Sequence, residues 1–185
     1  VSIAQRSRCA ANALKGAPSS FTNAFWITGF ISPWRRSMFI IIVIGTPPAI
    51  HSAAGIQLRN ECAQIMEAQG HEEPTGKAKI TKGYNLPAKH VIHTVGPIVG
   101  MQVTEKQEEE LKSCYLNCMK LAEKEGLKSI AFCCISTGEF HFPNKLAAEI
   151  AVKTVDKYLS SSKLERVIFN VFKEEDYNIY KKIFA

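Results

Sequence analysis

Strands alternating with helices along the chain predict a layered α/β domain. Three observations carry the prediction. The Ile/Val-rich run Phe39–Ile44, closed by Gly45-Thr-Pro-Pro48, has the composition of a buried strand. Two amphipathic stretches with end signals, Thr104–Gly126 and Asn144–Ser160, have helical spacing. Between them, Ser129-Ile-Ala-Phe-Cys-Cys-Ile135 runs into a Ser-Thr-Gly turn just ahead of the second helix.

The elements follow in order. Residues 1–37 have weak periodicity and predict no element. From Ala49, apolar residues at Ile50, Ala54, Leu58, Cys62, Ile65 and Met66 keep helical spacing as far as Gln69-Gly70. Ala78–Thr81 and Val91–Val95 read as short strands separated by Leu86-Pro87. Thr104 caps a long helix with Glu105 and Glu108–Glu110 in its first turns, where carboxylates oppose the positive end of the helix dipole. Leu111, Tyr115, Cys118 and Leu121 form its apolar face, and Gly126 stops it. Ser129–Ile135 is a strand, and Asn144–Ser160 a helix using Leu146, Ile150, Val152, Val155 and Leu159. Val167–Phe172 is the last strand, and Asp176–Phe184 the last helix, with Tyr177, Tyr180 and Phe184 on its apolar side.

A chain of 185 residues is one domain by length and large enough for a core. Hydrophobic content of 46% and charged content of 22% match an ordinary globular domain rather than a fibrous or disordered one. The net charge of +6 is unevenly spread: residues 1–50 hold Arg6, Arg8, Lys15, Arg35 and Arg36 and no acid, which leaves 18 bases against 17 acids in the rest. A nearly neutral body argues against a general nucleic-acid binder, although a basic arm suits phosphates. The longest apolar run, Met38–Ile44, is far shorter than the ~20 residues a spanning helix needs, and the start has no signal-peptide layout. The cysteines do not form a disulfide framework: Cys114 and Cys118 share a helix, and Cys133 and Cys134 are adjacent. They read as core thiols in a reducing, cytoplasmic protein.

Ile135-Ser-Thr-Gly-Glu-Phe-His-Phe-Pro143 is the most informative stretch. A strand, a small-residue turn and a helix start together present backbone N–H groups to an anion, and the helix end adds partial positive charge. Gly138 permits close approach, and Phe140 and Phe142 are placed to lie beside a flat or sugar-like group. Three further segments sit in order around it: Ile50-His-Ser-Ala-Ala-Gly55, Glu72-Glu-Pro-Thr-Gly76 and Val91-Ile-His-Thr-Val-Gly-Pro97.

With these motifs in this order, residues 49–185 resemble the macrodomain family, which binds ADP-ribose, and most closely its bacterial zinc-containing protein-ADP-ribose hydrolases of MacroD type. The resemblance implies a three-layer α/β/α sandwich around a central mixed sheet. It divides the chain into an atypical segment, 1–48, and a macrodomain body, 49–185. It implies ADP-ribose contacts at Ser136, Thr137, Gly138, Glu139 and Phe140 around the diphosphate and distal ribose, with Phe172 stacking on adenine and Asn170 near the adenine or its ribose. The implied activity is removal of mono-ADP-ribose from protein side chains; the alternative is an ADP-ribose-binding module without catalysis. The implied partner is a lipoyl-carrier protein modified by a sirtuin-type transferase. The family's zinc is held by a Cys/His loop that follows an Asn-Ala-Ala-Asn strand end. Here Ala10-Ala11-Asn12 only echoes that strand end, and Ala13–Ile50 contains neither Cys nor His. Gly45-Thr-Pro-Pro48 also lacks a carboxylate, so no catalytic residue is assigned.

The remaining candidates have plainer readings. His93 lies in an apolar strand and reads as a hydrogen-bonded core histidine. His51 has no Cys or second His close in sequence to make a metal site. His141 is a titrating group beside the Ser-Thr-Gly turn, and Glu139 a carboxylate placed to orient a water; surface positions suit both equally well. Lys77, Lys79, Lys82 and Lys89 read as solvated charges.

Overall fold

Ile40–Ile44 forms strand β2 in the middle of the sheet, as an Ile/Val run covered on both faces should. The computed structural model describes residues 25–29, 40–44 and 48–185, with side chains from Ile50 onward. The Ala10-Ala11-Asn12 echo and the expected metal loop, up to Pro47, therefore lie outside the described side chains.

The other strands are β1 (Phe25–Gly29), β3 (Ala78–Lys82), β4 (His90–Thr94), β5 (Ser129–Phe132) and β6 (Arg166–Val171). They form one six-stranded sheet in the order β1-β6-β5-β2-β4-β3. Every neighbouring pair is parallel except β3 with β4, so the sheet is mixed, with its antiparallel strand at one edge. Strands β1 and β2 both come from the 1–48 segment and pair with the body, β1 alongside β6 from Phe25↔Val167 to Gly29↔Val171.

Helices α1 (Pro48–Ala54) and α2 (Ile56–Gln69) replace the single helix expected from Ala49. Gly55, at φ 90°, breaks the helix while leaving Ala54 and Leu58 buried together, so the apolar spacing survives the break. These two residues pack with Val91 on one sheet face. Ile92, the next residue of β4, points to the opposite face. That face carries α3 (Glu105–Lys124), α4 (Asn144–Leu159) and α5 (Glu174–Ile183), which complete three layers.

Helix α3 starts as the sequence indicates. Thr104 Oγ1 accepts from the Gln107 amide while the Gln107 side chain accepts from the Thr104 amide, a reciprocal cap. Its buried face adds Cys114, Met119 and Ala122 to Leu111, Tyr115 and Cys118. The core continues through Tyr115, Phe132, Phe169 and Tyr180, with successive ring centroids 4.9, 6.2 and 5.0 Å apart. Cys114 and Cys118 are core thiols, as expected, and burial pushes Cys114 up to about 11 and Cys118 well above the usual thiol range, whereas Cys62, Cys133 and Cys134 are half-buried. Among the described residues, no helix is long and apolar enough to cross a membrane.

Candidate functional site

Because β1, β6, β5, β2 and β4 run parallel, their carboxyl ends share one edge of the sheet. From β2 the chain moves toward β4 and β3, whereas from β5 it moves toward β6. Neighbouring strands whose connections diverge leave a crevice between them at that edge, where α/β sheets take ligands. The loop after β5, residues 133–143, forms one wall of it.

This loop differs from the expected layout in two ways. Strand β5 ends at Phe132, three residues before the predicted end. Cys133–Ile135 stay apolar because they pack at the loop base, with Ile135 fully buried, and not because they are in the sheet. Phe142, expected beside a ligand, is 1% exposed and part of the core, and its amide donates to the Ser136 carbonyl at 2.9 Å. That bond pins the far end of the loop and leaves Phe140, half-buried, as the aromatic nearer the crevice.

Between these anchors the backbone turns sharply. Ser136 has φ 63° and His141 φ 53°, left-handed values that are uncommon for residues with a Cβ. The His141 amide donates to Gly138 O at 3.0 Å, and Thr137 Oγ1 donates to Cys134 O at 3.2 Å. Phe140 O accepts from the Val99 amide at 2.9 Å, which ties this loop to the one following β4. Among the described residues, no hydrogen bond takes the amides of Ser136, Thr137, Gly138, Glu139 or Phe140. Five consecutive amides without a partner among the described residues, at the carboxyl edge of a parallel sheet, suit an anion cradle. A Cβ built on Gly138 meets nothing within 4 Å, so that backbone faces open space.

Ser136 is 5% exposed, its hydroxyl has no protein partner, and it lies against Gly96. A Cβ on Gly96 would stand 2.1 Å from Ser136 Oγ and 2.9 Å from Ile135 Cγ2, so glycine is required there for the loop to close. The sequence reading gave Gly96, Val99 and Asp176 no site role. Gly96-Pro97 directly after a strand was the only available signal, and it marks a turn without naming what packs on it.

Asn170 and Phe172 come from β6 and its end. Val167, Phe169 and Val171 are buried in the α3–α5 face, so Ile168 and Asn170 turn to the other face. Phe172, placed in the strand by the sequence, lies one residue past it and is 76% exposed, a large apolar ring left open to solvent at the same edge of the sheet. Glu139 and His141 are both exposed on the loop.

His93 is held where its plain reading placed it. Its Nε2 shares a hydrogen bond with Thr81 Oγ1 at 2.9 Å and sits 3.8 Å from Cys62 Sγ. Burial, then the neighbouring His51, lower its pKa to about 4. Among the described residues, no group of three or more His, Cys, Asp or Glu side chains is arranged to hold a metal ion.

Comparison with known proteins agrees with this geometry. Residues 45–151 match the macro domain family. The chain belongs to the macrodomain family. A protein-ADP-ribose hydrolase of Treponema medium is 53% identical over 137 residues, 74% of this chain and 52% of its own length. The chain thus spans about half the length of the curated relatives it matches. Among solved structures, the Oceanobacillus iheyensis macrodomain with ADP superposes with a TM-score of 0.80 at 34% identity, covering 90% of this chain and 92% of its own. The Trypanosoma brucei macrodomain in complex with ADP-ribose gives 0.70 at 35% identity, covering 80% and 63%. The macrodomain fold is thereby shown, with the mixed sheet and three layers expected of it.

Proposed function

We propose that this macrodomain binds ADP-ribose in the crevice at the carboxyl edge of its sheet and acts as a protein-ADP-ribose hydrolase, removing mono-ADP-ribose from modified protein side chains. The observation that carries the reading is the run of five amides from Ser136 to Phe140 that no hydrogen bond takes among the described residues. A diphosphate offers several acceptor oxygens, and hydrogen bonds to a charged acceptor are worth about 1.5–3 kcal/mol each. In this reading Gly138 brings the backbone close to the phosphates, Thr137 and Glu139 border the distal ribose, and Phe140 forms the wall beside it. The exposed ring of Phe172 stacks on adenine, with Asn170 next to it contacting the base or its ribose. The names of the Treponema relative and of the Trypanosoma complex support the same ligand.

Hydrolysis requires water oxygen to bond to the anomeric carbon of the distal ribose as the protein side chain departs with a proton. The transition state is oxocarbenium-like, and catalysis needs groups that stabilise it more than the bound substrate. We assign the binding contacts to the residues above and no catalytic group. The proposed substrate is a lipoyl-carrier protein modified by a sirtuin-type transferase, and a reducing cytoplasm suits the free thiols of Cys62, Cys114, Cys118, Cys133 and Cys134.

A second reading, an ADP-ribose-binding module without turnover, is favoured by one feature: residues 1–50 contain no Asp or Glu, and Ala13–Ile50 no Cys or His. Single-turnover release of ADP-ribose from modified protein, run beside a binding titration of the same preparation, separates the two. A hydrolase releases ADP-ribose at a rate that saturates with enzyme; a reader binds ADP-ribose and releases none above background. Release at least a hundredfold slower than that of a relative with the Cys/His loop, a deficit of about 2.7 kcal/mol, is expected from those missing residues. Absence of saturable ADP-ribose binding would overturn both readings.

A further inference from the structure

The 133–143 loop runs into a helix whose first residue is bound by one buried carboxylate. Asp176, in the first turn of α5, is 5% exposed. Its Oδ1 accepts from Asn144 Nδ2 at 2.6 Å, and Asn144 is the first residue of α4, where the loop ends. Cys134, near the loop's start, has its thiol pKa raised by burial first and by the charge of Asp176 second.

We propose that Asp176 is a positioning residue that holds the Ser136–Phe140 cradle in its anion-binding shape by clamping the loop's end at Asn144 to α5. The left-handed turns at Ser136 and His141 give the physical reason. Strained backbone persists only where the surroundings over-determine it, and the loop's internal bonds are few: Thr137 Oγ1 to Cys134 O, His141 N to Gly138 O and Phe142 N to Ser136 O. A buried carboxyl accepting from the loop end adds a strong bond whose loss leaves Asn144 Nδ2 without that acceptor. The clamp also explains why the loop can present five amides, which no described residue pairs, without collapsing onto them. The link to ligand rests on the reading proposed above; the link to loop shape does not.

Amide hydrogen exchange tests the clamp directly. In Asp176→Ala, exchange at His141 and Phe142 rises at least tenfold, while amides in the middle of α3 and in β6 keep their rates. Asp176→Asn, which retains an acceptor for Asn144, stays within about threefold of the parent. Asn144→Ala breaks the same bond from the loop side and decides the matter should Asp176→Ala fold poorly. Ligand arms follow: ADP binds at least tenfold more weakly to Asn144→Ala, and adenosine, which has no diphosphate, binds unchanged. Unaltered exchange at His141 and Phe142 in a folded Asn144→Ala protein overturns the clamp. A uniform rise in exchange across the domain also overturns it, because it would show a general structural role. If the parent binds neither ADP nor ADP-ribose, the ligand reading fails while the exchange data still decide the clamp.

Discussion

Gly96→Ala puts the proposed site under the sharpest test. The added Cβ would stand 2.1 Å from Ser136 Oγ and 2.9 Å from Ile135 Cγ2, where real Cβ contacts stay above about 3.0 Å. Relief requires a movement of roughly 0.9 Å at Ser136 or rotation of its hydroxyl, together with a small retreat of Ile135 Cγ2. A shift of that size lengthens the 2.9 Å bond from the Phe142 amide to Ser136 O beyond hydrogen-bonding range and turns the neighbouring amides off a shared anion. Overpacking of this kind costs about 1–3 kcal/mol in stability, and the melting temperature should fall by on the order of 5 °C. The loss at the site is larger than that fall implies. Losing one or two charge-assisted bonds, at about 1.5–3 kcal/mol each, gives roughly a hundredfold weaker ADP-ribose binding. Calorimetric titration measures it. Ser136→Ala removes the closest atom while keeping the Ser136 amide, so the double variant should recover at least tenfold of the lost affinity, and Ser136→Ala alone should bind within about threefold of the parent. Parent-like affinity in Gly96→Ala, or a double variant no better than the single one, refutes the packing argument.

Gly138→Val introduces a side chain into open space, so thermal melting should be unchanged while ADP-ribose affinity falls at least tenfold, about 1.4 kcal/mol, by titration. Phe172→Ala removes a ring that is 76% exposed and should weaken ADP-ribose binding by about 1–3 kcal/mol, the range for stacking on a base. His93 is held at a pKa of about 4, below the ordinary 6.5, so the folded state binds fewer protons than the unfolded one between these values. Stability therefore rises with pH across that window and is lost as pH falls from 6.5 to 4, by roughly 3 kcal/mol at most; denaturant melts of His93→Gln should show a flatter acid limb. Elemental analysis of purified protein should find zinc well below stoichiometric, because Ala13–Ile50 supplies no Cys or His; stoichiometric zinc would show that other residues form a site.

The body of the fold was legible because local chemistry and tertiary burial agree there. Thr104 caps α3 with Gln107, the apolar stripe through Leu111, Tyr115 and Cys118 is the buried one, and Ile40–Ile44 sits mid-sheet. The failures have physical causes. Strand β1 is short and gains its pairing from β6, a partner from the far end of the chain that no local pattern encodes. Gly55 breaks a helix whose apolar spacing carries on across it. Residues Cys133–Ile135 and Phe142 are apolar because the loop base is core, so hydrophobicity alone extended β5 and sent Phe142 to the crevice. The candidate site was legible as a motif in one loop and at one strand end. What supports that loop was not: Gly96, Val99 and Asp176 act through contacts between segments distant in sequence.

The central claim is that the backbone amides of Ser136–Phe140 receive the diphosphate of ADP-ribose. Amide NMR of isotopically labelled protein during an ADP-ribose titration reads those groups one by one. The account expects the resonances of Ser136, Thr137, Gly138, Glu139 and Phe140 to move together and saturate at one ligand per chain, with those of α3 and of β3 nearly still. Saturable binding that leaves all five unmoved would contradict it.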